Sequence, residues 1–124
     1  MMLVKTYVAE SLLHGSGLFS GERIAAGTKV WERNDIIDIV IDQNQIASLP
    51  EVARQAAISH SFVDHDGKMI LSRDNAVFFN HSDEPNTIAT PEGNFAVRDI
   101  NEGEELTESY RSFGDGGCKD FLNT

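Results

Sequence analysis

Three short stretches of this chain carry side chains suited to binding and orienting a ligand. The first is Gly15-Ser16-Gly17-Leu18-Phe19. A glycine pair lets the backbone come close to a bound molecule, because glycine lacks a Cβ and tolerates unusual dihedrals; taken alone, it reads as a plain tight turn. The second is Asn80-His81-Ser82-Asp83-Glu84-Pro85-Asn86. Asparagine both donates and accepts hydrogen bonds. His81 has a rival reading as a buried histidine bonded to backbone, and both readings hold if the main chain binds while the ring is tied down. The third stretch is Arg98-Asp99-Ile100, followed by Gly103-Glu104-Glu105-Leu106-Thr107 and Tyr110. With an ordinary pKa of about 10, a tyrosine hydroxyl suits positioning better than general-base work. The plainer reading of Tyr110 is a core tyrosine with a satisfied hydroxyl.

Read together, N-H-S-x-x-P-N and R-D-I-x-x-G-E-E-L-x-x-x-Y, preceded by G-x-G-L-F, closely resemble the signature of SET-domain protein lysine methyltransferases. Ile24 and Gly27-Thr28-Lys29-Val30 also follow at the usual places. The pieces occur in family order over roughly residues 12–113, nearly the whole chain. The resemblance implies methyl transfer from S-adenosylmethionine to the ε-amine of a lysine. That reaction is an in-line displacement at a sulfonium carbon, so donor and acceptor must be held at near-attack distance. The lysine must arrive neutral, because an ammonium has no lone pair.

The resemblance also implies the residue roles. Gly15, Ser16, Gly17 and Leu18 line the cofactor. Asn80 contacts its methionine part, and His81 lends its backbone to the adenine. Tyr110 is the catalytic tyrosine, with its hydroxyl near the transferring methyl group and the incoming amine. Phe113 covers the adenine. Ser82, Pro85 and Asn86 fix the loop. Glu104 and Glu105 brace the turn, and Arg98 forms an ion pair. Trp31, Phe62 and Phe121 are better read as core than as channel walls.

Glu108 departs from the pattern. Many family members carry Phe or Tyr two residues before the tyrosine, where the side chain helps set how many methyl groups are added. A carboxylate facing the lysine channel would attract the ammonium but could also hold it protonated; one facing solvent would change nothing. Ser109 replaces the common Asp. Glu108 supports an alternative in which the SET scaffold is a cofactor- or protein-binding module with little or no methyl transfer. A methyltransferase for a small amine or free amino acid is the second rival.

Composition narrows the field further. At 124 residues the chain reads as one domain, 1–124, with a core over about 3–113 and a short tail at 114–124. The net charge of −10 argues against broad nucleic-acid or anionic-membrane binding and is compatible with a basic protein substrate. Cys118 is the only cysteine, so the zinc-binding tail of many nuclear members cannot form. His14, His60, His65 and His81 lack metal-ligand spacing, and no metal is expected. There is no sustained apolar run, so a reducing cytoplasmic location is the default expectation. With no separate domain to complete a substrate groove, a homodimer is an open expectation.

These residues must be positioned mostly by strands. The pattern predicts strands over 3–8, 29–32 and 36–41, and hairpins around the turns at 64–67 and 90–93. One helical region is expected over 42–59. Ser48 and Glu51 fit a capping box, Pro50 sits in the first turn, and Ile46, Leu49, Val52, Ala53, Ala56 and Ala57 form its packing face. The fold class is mostly β: several small sheets and one or two short helices. The resemblance specifies this further as the β-clip SET fold with a C-terminal pseudoknot.

Overall fold

The computed structural model describes residues 1–63 and 68–109. The described residues form ten short strands, two α-helices and one 3-10 turn. In order these are β1 (Thr6–Glu10), β2 (Ser16–Ser20), β3 (Lys29–Trp31), β4 (Asp38–Ile41), α1 (Gln43–Ala47), α2 (Glu51–Ser59), β5 (Ser61–Val63) and β6 (Met69–Ser72). A 3-10 helix (Asn75–Phe78) follows, then β7 (Asn80–His81), β8 (Thr87–Thr90), β9 (Gly93–Ala96) and β10 (Glu105–Glu108). The strands form three small sheets, ordered β1-β2-β10-β7, β3-β9-β8 and β4-β6-β5. The expected mostly-β class is what the structure shows.

The first sheet matters most for the site. Its last strand in sequence, β10, lies between two earlier ones. It runs antiparallel to β2, with Glu105 opposite Phe19 and Leu106 opposite Leu18. It runs parallel to β7, with Thr107 opposite Asn80 and Glu108 opposite His81. A parallel neighbour requires a long return connection, and the β8–β9 hairpin is part of it. This insertion brings all three motif stretches to one place. Tyr110, and any C-terminal threading beyond it, lie outside the described residues.

One core joins the sheets. Leu18, Val30, Ile70, Ile100 and Leu106 have no exposed surface, and Trp31 is buried beside them. Each such aliphatic side chain contributes roughly 1.5–3 kcal/mol by leaving water. A smaller cluster of Ile46, Ile58 and Met69 seats the helices on the third sheet.

The single helical region is in fact two helices. Pro50 has extended backbone, at φ −56° and ψ 152°, and it disfavours helix at the residue before it. The capping box belongs to Asp42 and Gln45. Asp42 Oδ1 accepts from the Asn44 amide at 2.7 Å, and Gln45 Oε1 accepts from the Asp42 amide at 3.2 Å. Ser48 closes α1 instead of starting a helix. The break rotates the packing face. Ile46 and Ile58 are buried, whereas Val52 is 86% exposed.

Other boundaries shift for local reasons. Residues 34–37 form a turn, in which the Ile37 and Asp38 amides donate to Asn34 O, so β4 starts only at Asp38. Residues 2–3 bond to the β3 region, through a Met2–Trp31 bridge and the Leu3 amide on Val30 O. β1 therefore begins later than the apolar pattern suggests.

Candidate functional site

The glycine loop is held by its own hydrogen bonds. Gly15 has φ +48°, in the left-handed region that favours glycine. Its carbonyl accepts from the Ser11 amide at 2.7 Å. Ser11 Oγ in turn accepts from the Leu13 amide at 2.9 Å, and more weakly from His14. Residues 11–15 are thus folded on themselves.

Asn80 clamps this loop from β7. Its Nδ2 donates to His14 O at 3.0 Å, to Ser16 O at 3.1 Å and to Glu105 Oε2 at 2.9 Å. Glu105 also accepts from Ser11 Oγ at 2.7 Å. Residues from three separate segments therefore share one partly buried polar knot.

Beside the knot lies a cavity of about 500 Å³, within the usual ~300–1,000 Å³ of small-molecule sites. His14, Gly15, Ser16 and Asn80 form one wall. Ser59 and His60, at the end of α2, line the cavity as well, as do Phe78 and Phe79. The cavity is large enough for a small ligand and offers both backbone and neutral polar groups.

The expected site residues do not all meet there. Gly15, Ser16 and Asn80 do. Gly17 faces the Glu105 carboxylate, which a Cβ at that position would overlap. Leu18 has no exposed surface, and its backbone is paired on both sides, to Val8 and to Leu106. It packs in the core. The His81 ring is partly exposed and lies 3.0 Å from the exposed Asp83 carboxylate, so this partner is a side chain and not the backbone that the buried-histidine reading expects. Tyr110 and Phe113 lie outside the described residues.

Periodicity does not reveal the wall from α2, since that helix reads as packing. Its signal is the polar spacing of Gln55 and Ser59 followed by His60, which marks a second, non-core face. The His60 ring accepts no ambiguity in direction at one atom. Its Nδ1 lies 2.8 Å from Ala56 O, and a carbonyl only accepts, so Nδ1 carries the hydrogen.

Glu108 does not face solvent. It is 1% exposed, and its Oε2 accepts from Asn94 Nδ2 at 2.9 Å. Oε1 has no hydrogen-bond partner among the described residues. Burial pushes its carboxyl up to about 8, against a smaller lowering effect of the Asn94 bond. At neutral pH the group is therefore mainly a neutral acid. Glu104, by contrast, pairs with Arg98 at 2.6 Å near the surface, and that bond lowers the carboxyl and raises the guanidinium. Both residues are partly solvent-exposed, so the pair braces the turn without adding much stability.

Comparison with known proteins bears on the family and the fold. The family model described as SET domain matches residues 15–111, well over half of the chain. The crystal structure of a Plasmodium falciparum protein, described as a candidate histone methyltransferase, superposes with a TM-score of 0.58 at 22% identity. That likeness covers 88% of this chain and 95% of the other, and at such identity it speaks for the fold alone. No curated protein matches the chain.

Proposed function

The chain belongs to the SET-domain family, and from that membership we propose that it transfers methyl groups from S-adenosylmethionine to the ε-amine of a lysine in a protein or peptide. One observation carries the reading beyond the family match. The glycine loop and Asn80, far apart in sequence, meet at one wall of a cavity of cofactor size. S-adenosylmethionine would supply the activated methyl group on its sulfonium. Gly15, Ser16 and Asn80 would hold the amino-acid end, with His81 backbone and Phe113 at the adenine. The Tyr110 hydroxyl would orient the neutral amine, which attacks the methyl carbon as the sulfur–carbon bond breaks. The net charge of −10 favours a basic, Lys-rich substrate over nucleic acid or anionic membrane. A cytoplasmic location and a homodimer belong to the same proposal.

The test is Tyr110→Phe. Methyl transfer to a Lys-rich protein should fall by about 10²-fold or more, the scale of losing one transition-state contact. Affinity for S-adenosylhomocysteine should stay within about twofold, since uniform binding is untouched. Transfer that survives the substitution would remove Tyr110 from the chemistry. A wild-type protein that binds cofactor yet methylates neither Lys-rich proteins nor free lysine would instead be a binding module.

A further inference from the structure

The Asn80 amide has a fixed orientation. Its NH₂ faces three groups that can only accept: two backbone carbonyls and the Glu105 carboxylate. Turned over, the amide would place its own oxygen against all three. Oδ1 is therefore the atom that Asn80 has left to offer, and no bond to it is made among the described residues. Asn80 lines the cavity, so the wall presents an acceptor at this point.

Glu105 is central to that orientation. Each carbonyl belongs to the glycine loop, and the loop is itself held to Glu105 through Ser11 Oγ. The same carboxylate thus contacts the amide directly and anchors the segment that supplies the other two acceptors. Gly17 leaves the room it needs, because a side chain at that position would overlap Glu105 Oε2. Gly17 has no positive φ, so what the glycine provides is space beside a carboxylate.

We propose that Glu105 is a positioning residue of the ligand site: it holds Asn80 with Oδ1 toward the cavity and so selects ligands that carry an ammonium there. This rests on the cofactor reading of the cavity, in which the α-ammonium of S-adenosylmethionine is the donor. The chemistry follows from the acceptor. An ammonium gains a charge-assisted hydrogen bond, whereas a ligand without it leaves Oδ1 desolvated and unpaired.

The experiment compares two ligands by calorimetric titration: S-adenosylhomocysteine and its desamino analogue, identical except for the missing α-amine. Wild type should prefer the first by about tenfold or more. In Glu105→Ala, that preference should fall by about threefold or more, as one anchor of the amide is lost. Gly17→Ala keeps the carboxylate but displaces it, and should lower the same ratio. A general loss of structure weakens both ligands together, so the ratio reports orientation. Should Glu105→Ala fail to fold, Gly17→Ala decides alone. A ratio unchanged from wild type in the folded variants would overturn the role of Glu105 while leaving the cofactor site intact. Wild type that binds neither ligand would instead remove the cofactor reading, and this inference with it.

Discussion

Raising the pH from about 5 to about 8 should lower the unfolding free energy of this protein, and Glu108→Gln should remove most of that slope. The unfolded chain releases the Glu108 proton near the ordinary value of 4.5, whereas the folded protein keeps it to about 8. Between those values the folded state binds one more proton, so rising pH favours unfolding. The stabilisation from this group is complete below the unfolded pKa and is lost as pH rises to the folded one. The steepest slope is about 1.4 kcal/mol per pH unit, and the total is on the order of a few kcal/mol. Asp74 and Glu104 act elsewhere. Burial pushes Asp74 up, but hydrogen bonds from Met2, Ala76 and Ser72 hold it down on balance. The Arg98 bond holds Glu104 down. Both stabilisations are present above the unfolded pKa and fade only as pH falls below about 4. Denaturant unfolding of wild type and Glu108→Gln at several pH values checks this. Parallel stability curves for the two proteins would show that Glu108 titrates normally in the fold.

Asn86→Ala should cost about 3 kcal/mol or more, the largest single loss expected from a polar side chain here. Asn86 is 2% exposed and holds β10 from the side. Its Oδ1 accepts from the Thr107 amide at 2.8 Å, and its Nδ2 donates to Glu105 O at 2.7 Å. Truncation leaves a buried N–H and a partly buried C=O unpaired, each costing roughly 1–3 kcal/mol when fully buried. Asn86→Asp should also destabilise, because a carboxylate can replace the acceptor but not the donor. Chemical denaturation at a fixed pH reads both. A loss below about 1 kcal/mol for Asn86→Ala would mean that water or a backbone shift satisfies β10 instead. The bond matters for function because β10 carries Glu105 and Glu108 and leads directly to Tyr110.

Much of this was legible in the residues. The motif stretches and their order pointed to the fold family, and β-branched runs with turn residues marked most strands. The loop-fixing role of Asn86 and the bracing by Glu104 also appear as expected. What periodicity could not supply was neighbourhood. It places Leu18 in an apolar return but not between two strands. It finds Ser48, Pro50 and Glu51 but does not weigh them against Asp42 and Gln45, and Pro50 then splits the helix. The contact between Gly17 and Glu105, and the bond from Asn94 to Glu108, join segments that only the insertion of β10 brings together. Long-range pairings of this kind leave no local pattern.

The most direct measurement is calorimetric titration of the purified protein with S-adenosylmethionine and S-adenosylhomocysteine, repeated on Asn80→Ala. Saturable one-site binding is expected, weakened about tenfold or more in the variant through loss of a charge-assisted contact and of the loop clamp. No binding of either compound up to about millimolar concentration, a free energy weaker than about −4 kcal/mol, would contradict the cofactor site. An unchanged dissociation constant in Asn80→Ala would place that site elsewhere in the molecule.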